Sequence, residues 1–397
     1  VRFDGYRQQL VLARRVRVRI AFTGTDASET GLGSTGRVLP RRAPFRETLA
    51  QLFTTRRGLH AVAFEDLFPV RQRGLATSVL RLQRQGQPVA FRVEPPTATF
   101  GPGSVLYFFA DRTASSTDFS PEVAWELVRG TGSSLGVVLA SPEGAPSTAS
   151  TAFASFEANK FYMPDLLEAP DPWLWQAAIA SPGSPVTTAP LSFTLSGIDA
   201  ASPLGARLVV YLQGGSESGH TTDHHLEVRL NGSPVGDAFF SGKKPFRFDA
   251  ILPVASLLEG ANTLTLTNLA DTGVTSRVFL DRFSVSHPQA PALRAGVLEG
   301  TWADPGIAEV ATTGAHPIVL DTTLAAVDVI PRSSGAPGDE GSADVSGASS
   351  VKWLLGAEWT GSSLRFRAEP GHRYVVASRE GLLYPRVSRP APSALRD

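Results

Sequence analysis

Four side chains of types that bind metals lie close together between residues 220 and 225 of the 397-residue chain. They are His220, Asp223, His224 and His225, and the first of them sits in a loop rich in Gly, Ser and Thr. Zinc takes three or four nitrogen or oxygen ligands in tetrahedral geometry. Adjacent residues of an extended chain point to opposite faces, so only one of the neighbouring histidines joins His220 easily. The segment therefore predicts a metal site at His220, Asp223 and His224, and the alternative is a polar loop that leads into a strand.

Carboxylates near strand ends suggest a second kind of metal site. Asp118, Asp281 and Asp321 all lie at such positions, where oxygen ligands for calcium often gather. The sequence requires no cofactor, and calcium is the one that these residues would suit. The alternative is that each is an ordinary surface acid.

Catalytic signatures are missing from the sequence. It contains no cysteine, which excludes disulfides, thiolate metal sites and a cysteine nucleophile within this chain. It also contains no GxSxG motif, no HExxH motif and no glycine-rich phosphate loop. We therefore predict no catalytic residue in this chain.

Tryptophans offer another kind of chemistry. Trp173, Trp175 and Trp359 are candidates for a platform on which sugar rings stack. The alternative for the first two is a loop that its aromatic side chains pin over a sandwich.

Alternating patterns indicate the elements that position these residues. Leu226, Val228 and Leu230 alternate with polar residues, and Asn231-Gly232 follows as a hairpin turn. Thr263 begins a second alternating run, and residues 278–285 form another strand pattern. Helical patterns are scarce. The sequence therefore predicts a mostly β fold of several β-sandwich or jelly-roll-like units with few short helices.

Composition shifts divide the chain into predicted segments. They are an N-terminal β segment with a short helix at 45–53 (1–55), a small β domain (56–140), an irregular aromatic-containing linker (141–190), a β-sandwich (191–290), a small β domain with a mobile loop at 333–350 (291–384), and a linker (385–397).

Charge and hydropathy limit the partners. The net charge is zero, which argues against a nucleic-acid partner. Residues 1–94 carry 17 Arg against 7 acidic residues, which indicates either an anionic partner or a general preference for Arg over Lys. No apolar run approaches 18 residues, so we expect no transmembrane helix. Because the sequence begins with Val1, we expect that a leader or other upstream sequence precedes it.

Several stretches, in this order and spacing, resemble the region before the catalytic domain in the gingipain family of cysteine peptidases. They are RRGLHAVAFEDLF (56–68), VLRLQRQGQPVAFRV (79–93), SVLYFFADRTASSTDFSPEVAWEL (104–127), DHHLEVRLNGSPVG (223–236), EGANTLTL (259–266), VFLDRFSVSHP (278–288) and RYVVASREGLLYPRVSRPAPSALRD (373–397). His60 and His287 depart from the family pattern, which often has an aromatic residue at the first position and an aromatic residue or Arg at the second.

The resemblance implies a role without catalysis of its own. Family members place a caspase-like domain with a His and Cys dyad after this region, so the chain resembles a propeptide-like or accessory part of a bacterial, secreted, cell-surface or periplasmic endopeptidase. The family's basic specificity implies that Lys243 and Lys244 could mimic a substrate, and that processing could occur after Arg396. A secreted carbohydrate-binding or adhesion module is the alternative function, and a structural spacer without a ligand is a third.

Overall fold

The computed structural model describes residues 2–4, 9–11, 48–111, 122–147, 150–166, 168–169, 172–312, 316–323 and 351–389. The chain divides into two compact units, Val1–Phe45 and Arg46–Asp397. In the first unit, β1 (Arg2–Asp4) and β2 (Gln9–Val11) form an antiparallel pair. The loop predicted at 333–350 lies outside the described residues.

The second unit is built almost entirely from strands, which confirms the predicted fold class. One α-helix, α1 (Phe64–Leu67), lies in the described part of the chain. Short 3-10 turns occur at Thr77–Val79, Val254–Ser256 and Arg379–Gly381.

Eight strands form what we call the N-terminal sheet. They are β3 (Thr48–Thr54), β4 (Gly58–Ala63), β6 (Leu80–Arg84), β7 (Gln87–Glu94), β9 (Val105–Ala110), β10 (Val123–Arg129), β11 (Ser133–Ser134) and β32 (Arg386–Ser388). The order across the sheet is β32-β3-β10-β6-β7-β9-β4, and β11 pairs in parallel with β7. Beside this sheet, β5 (Leu75–Ala76) pairs with β8 (Thr99–Phe100).

The helix predicted at 45–53 is wrong, because β3 occupies Thr48–Thr54. Ala50, Leu52 and Thr54 are buried on one face of this strand, and the indole nitrogen of Trp125 donates to the Thr54 hydroxyl at 2.9 Å. Leu49 and Phe53 are half-buried on the opposite face of the strand from Leu52, so their helical spacing does not mark the core face. The long-range pairing of β3 with β10 determines the strand.

The segment after Leu383 joins the two edges of the N-terminal sheet. Leu383 exchanges backbone hydrogen bonds with Leu59 and Ala61 of β4, at 2.9 and 2.8 Å. Three residues later, β32 pairs with β3 at the other edge. The interpretation of residues from 385 onward as a linker is therefore wrong for Arg386–Ser388, which form a paired strand.

Ten strands form the central sheet. They are β12 (Gly136–Leu139), β13 (Ser150–Glu157), β16 (Gln176–Ala180), β19 (Ala206–Gly214), β22 (Pro245–Leu252), β24 (Ser276–Gln289), β25 (Val297–Trp302), β27 (Ile318–Asp321), β28 (Lys352–Leu355) and β31 (Arg373–Ala377). The order is β12-β28-β27-β31-β25-β13-β24-β19-β22, and β16 pairs with the first part of β24. The interpretation of 141–190 as irregular does not hold for β13 and β16.

A five-stranded sheet packs against one end of the central sheet and completes a sandwich. Its strands are β17 (Val186–Thr187), β18 (Leu191–Leu195), β20 (His224–Leu230), β21 (Ser233–Phe240) and β23 (Gly260–Asn268). Asn231 and Gly232 have φ values of 52° and 81°, so the β20–β21 hairpin turns where the sequence predicts it. Leu226 and Val228 of β20 and Leu208 and Val210 of β19 belong to one buried core.

The other end of the central sheet carries a smaller core. A three-stranded sheet of β26 (Gly306–Ala311), β29 (Glu358–Trp359) and β30 (Ser363–Ala368) covers it. Trp302, Phe366 and Tyr374 pack there with ring centroids 5.2 to 5.8 Å apart. The last two strands, β14 (Phe161–Tyr162) and β15 (Trp173–Leu174), form a separate pair.

Candidate functional site

His224, the central residue of the predicted metal site, is fully buried at the start of β20. Its Nδ1 lies 2.9 Å from the Ser276 hydroxyl, and its Nε2 lies 3.1 Å from the Gly242 carbonyl oxygen. Because a carbonyl only accepts, Nε2 carries the proton. Burial lowers the pKa of His224 below its usual value. The ring is therefore neutral at pH 7, and both nitrogens already have partners within the protein.

Asp223 and His220 do not converge on a common point with His224. The Asp223 carboxylate accepts from the Ser218 backbone and hydroxyl and from the Gly242 N–H at 2.8 Å. Burial alone would raise the pKa of Asp223, but these hydrogen bonds outweigh it and lower the pKa. His220 is exposed in the loop. Within the described residues no group of three His, Asp or Glu side chains could hold a metal ion. A metal site at these residues stays a prediction.

His225, on the opposite face of β20, has a different environment. Its ring stacks on Phe239 at 3.9 Å between centroids. Nδ1 lies 2.8 Å from Asp271, and Nε2 lies 3.4 Å from Asp237. The two carboxylates are half exposed, so this ring links β20, β21 and the loop after β23 at the surface.

The aspartates considered for calcium are also engaged locally. Asp281 pairs with Arg282 at 2.8 Å. Asp321 accepts from His372 at 2.8 Å and from the backbone and hydroxyl of Thr323. Asp118 lies outside the described residues. Calcium binding stays a prediction.

The three candidate tryptophans lie in three different environments. Trp175 stacks on Phe283 at 5.7 Å and packs against the sandwich core. Trp173 lies beside Tyr162 at 4.9 Å, in the β14–β15 pair. Trp359 is 38% exposed and lies 5.4 Å from His316, on the three-stranded sheet. They do not form one platform, but Tyr162, which is 56% exposed, gives Trp173 an aromatic neighbour at the surface.

Lys243 and Lys244 occupy the tight connection between β21 and β22, and both are exposed. The Lys243 carbonyl accepts from the Gln213 side chain at 2.8 Å, and the Lys244 carbonyl accepts from the Gly214 N–H at 3.0 Å. The backbone is thus fixed while both side chains face solvent. Arg396 lies outside the described residues.

A cleft in the central sheet is the site that sequence reasoning missed. β13 pairs with β25 only at Ser150 and Thr151, although it pairs with β24 along its whole length. Beyond Thr151 the two strands diverge and leave a cavity of about 230 Å³. The small side chains Ala152 and Ala154 line it, together with His287 and Arg294. No local sequence signal marks this site, because it depends on where two distant strands stop pairing.

Gln289 and Gly300 hold the narrow end of this cleft. The Gln289 amide donates to the Ser150 hydroxyl at 3.1 Å and to the Glu299 carbonyl at 2.8 Å. A Cβ on Gly300 would lie 2.4 Å from the Gln289 Nε2, so the glycine leaves room for this bridge. The bridge occupies a backbone acceptor of β25 that would otherwise be available to a neighbouring strand.

Arg294 stands in a two-residue hairpin at the mouth of the cleft. Its backbone exchanges two hydrogen bonds with Val297, both at 3.0 Å. Its guanidinium packs over Gly197, whose N–H is bound by the Glu259 carboxylate at 2.9 Å. These backbone hydrogen bonds from Gly197 and Ile198 lower the pKa of Glu259, and the Arg294 charge contributes. Arg294 itself is exposed and forms no ion pair with any described residue.

A comparison with solved structures gives a fold likeness over most of the chain. The crystal structure of dimeric latent PorU from Porphyromonas gingivalis matches at a TM-score of 0.54 and 11% identity. The match covers 86% of this chain and 33% of that chain, so the protein spans about a third of the length of PorU. No protein-family model and no curated protein matches the sequence. The chain therefore shares its fold with part of PorU.

Carbohydrate-binding modules match only weakly. A CBM36 domain of a xylanase from the hindgut metagenome of Trinervitermes trinervoides gives a TM-score of 0.22 at 10% identity, and covers 34% of this chain and 95% of that chain. A CBM36 module bound to calcium and xylotriose gives 0.21 at 17% identity, with 35% and 92% covered. Likenesses this weak carry no argument about function.

Among the described residues, no helix has the length and apolar character needed to cross a membrane.

Proposed function

We propose that this chain is the N-terminal, non-catalytic region of a gingipain-like cysteine endopeptidase, and that it folds with, caps or presents a downstream caspase-like domain. The observation that carries the proposal is the fold likeness to latent PorU over 86% of the chain. That likeness agrees with the independent resemblance of residues 56–397 to the region before the peptidase domain of gingipains. The same reasoning assigns the protein to the bacterial cell surface, periplasm or exterior.

The chemistry of the chain supports an accessory role. The sequence contains no cysteine, so a cysteine nucleophile would have to come from another domain. The buried His224 is neutral and locked between Ser276 and Gly242, as a structural histidine is. Most of the polar side chains considered above serve the fold, which suits a region that supports another domain.

The test is to produce this chain and the caspase-like domain encoded after it, separately and together. We expect the two to co-elute in size-exclusion chromatography, and we expect peptidase activity on substrates with a basic P1 residue to change when the chain is added. A reading frame without such a domain, or two products that never associate and never affect each other, would refute the proposal.

The Lys243–Lys244 turn is the candidate substrate mimic within this proposal. Its backbone is fixed and both side chains are exposed, which suits a loop that enters a specificity pocket. Replacing both lysines by alanine should relieve inhibition of the peptidase if the turn enters its active site. Unchanged inhibition, with the fold intact by circular dichroism, would remove this turn from the proposal. Intact-mass analysis of the natural protein tests processing after Arg396.

Glycan binding is the second candidate function, and one surface supports it. Phe161 and Tyr162 are 44% and 56% exposed, and Trp173 lies 4.9 Å from Tyr162. Exposed aromatic rings of this kind can stack on sugars. A glycan array followed by titration of Trp173→Ala tests it, with Tyr384→Ala, an exposed ring in the segment that pairs with the N-terminal sheet, as the control. An array without binding would exclude this function.

A further inference from the structure

The cleft between β13 and β25 leaves a strand edge without a partner in the middle of a sheet. From Ala152 to Phe156, β13 pairs with β24 on one side, and no described strand pairs with its other side. These five residues span about 17 Å, at roughly 3.3 Å per residue of strand. Unpaired strand edges are templates on which an extended peptide can add as a further strand.

The cavity beside this edge has the size of a side-chain pocket. Its volume of about 230 Å³ lies below the roughly 300–1,000 Å³ typical of sites for whole small molecules. Ala152 and Ala154 keep it open because their side chains are short. His287 also lines it, and its Nδ1 donates to the Pro288 carbonyl at 2.9 Å, which leaves Nε2 as an acceptor. The pocket therefore suits individual side chains of a polymer.

The charge at the mouth selects the chemistry of the occupant. Arg294 is exposed there and forms no ion pair with any described residue. The nearby Glu259 carboxylate is already bound to the backbone of Gly197 and Ile198. Glu299 also lines the cavity, but its carboxylate is paired with Arg57. A guanidinium placed in this way favours a carboxylate, which it can bind through two parallel hydrogen bonds.

We propose that an extended, acidic polypeptide segment adds to the β13 edge as a strand and places a carboxylate side chain against Arg294. This inference deepens the proposed function and rests on it for the source of the segment, which is the partner peptidase domain. Backbone hydrogen bonds to β13 supply the affinity, while the pocket and Arg294 set the register and the preference for an acid.

The binding test needs no partner domain. The probe is a fluorescein-labelled seven-residue peptide that alternates glutamate and valine, and the counter-probe alternates lysine and valine. We expect saturable binding of the acidic peptide by fluorescence anisotropy, and Arg294→Glu should weaken it at least tenfold while favouring the basic peptide. The matched control is Arg277→Glu, which reverses an exposed charge at the far end of β24, where β24 pairs with β16.

A second measurement tests strand addition itself. Hydrogen exchange should slow in peptides that cover residues 152–156 when the acidic probe is bound. Ala152→Leu, which fills the pocket from the same strand, should abolish binding while the melting temperature shows that the chain remains folded.

The inference would be overturned by the absence of saturable binding of the acidic peptide, by equal effects of Arg294→Glu and Arg277→Glu, or by unchanged exchange at 152–156. Displacement of the peptide probe by polygalacturonate at lower concentration would assign the cleft to acidic glycans and overturn the polypeptide occupant. The result of this test can be distinguished from the result of the test of the proposed function. If the partner domain co-elutes equally well with Arg294→Glu and Ala152→Leu, the function stands and the cleft is not its contact.

Discussion

Asn262 anchors the corner before β23, and its replacement gives the sharpest test of the sandwich. The side chain is 1% exposed. Its carbonyl accepts from the Leu258 N–H and the Asn231 amide, both at 2.9 Å. Its NH₂ donates to the carbonyl oxygens of Leu258 at 2.7 Å and Gly260 at 3.1 Å. One amide thus satisfies four buried or half-buried groups on three residues.

The cost of Asn262→Ala follows from these four bonds. At roughly 1 kcal/mol for each net hydrogen bond, the free energy of unfolding should fall by about 4 kcal/mol. That is a large part of the roughly 5–15 kcal/mol that stabilises a typical domain. Asn262→Asp keeps the two accepted bonds but sets a carboxylate oxygen against the carbonyls of Leu258 and Gly260, so its loss should be greater at pH 7 than at pH 4, each compared with wild type.

The assay is urea unfolding read by tryptophan fluorescence and by hydrogen exchange in peptides from β20 and β23. Trp175 reports from the same core, where it stacks on Phe283. The control is Ser192→Ala, an exposed position on the neighbouring strand β18, which should stay within about 0.5 kcal/mol of wild type. A loss below 1 kcal/mol for Asn262→Ala would show that water or a backbone shift replaces the side chain and would refute the reasoning.

Three further changes test other parts of the fold. Burial lowers the pKa of His60 to about 4. The unfolded chain therefore binds more protons than the folded chain between pH 4 and 6.5. The free energy of unfolding should fall by up to about 3 kcal/mol as the pH decreases through that range. His60→Gln should abolish this fall in urea titrations, and an unaltered pH profile would contradict it. Val387→Asp should detach β32, because Val387 packs against the core of the N-terminal sheet. Limited proteolysis should then cut after Arg386. Equal resistance of wild type and variant to the protease would count against this. Gly214→Ala should lower the free energy of unfolding by about 3 kcal/mol, because its Cβ would lie 2.0 Å from the Gly242 carbonyl oxygen. Gly232→Ala meets no atom within 4 Å and should cost only about 1 kcal/mol, for a side chain at a φ of 81°. Similar melting temperatures for the two variants would contradict the clash.

Local pattern was enough to predict the sandwich hairpin. Leu226, Val228 and Leu230 alternate without exception, and Asn231-Gly232 accepts the positive φ that the turn requires. The segment STAFASFE at β13 carries the same alternation in weaker form, since small Ser, Ala and Thr side chains hide it. Such a strand is defined by its partner β24, more than a hundred residues away, and single-sequence reasoning does not see that pairing.

The candidate site residues show the same limit in chemical terms. His224 has its partners in distant segments, at Ser276 and Gly242, and the ring on which Trp175 stacks belongs to the distant Phe283. His60 likewise finds its partner in a distant strand, because its ring stacks on Phe108 at 5.3 Å. Residue type predicts which interactions these side chains can form, and only the fold shows which partners they have.

β24 connects the sandwich to the cleft. Val278, Leu280, Phe283 and Val285 of this strand lie in the sandwich core, and the last residue, Gln289, reaches across Ser150 to the Glu299 carbonyl. The strand that holds the sandwich together therefore also fixes how far β25 stands from β13. Because Gln289 is 7% exposed and donates two hydrogen bonds there, closing the cleft would require breaking buried bonds. The gap is thus a maintained feature of the sheet, which is what a strand-accepting site requires before its partner arrives.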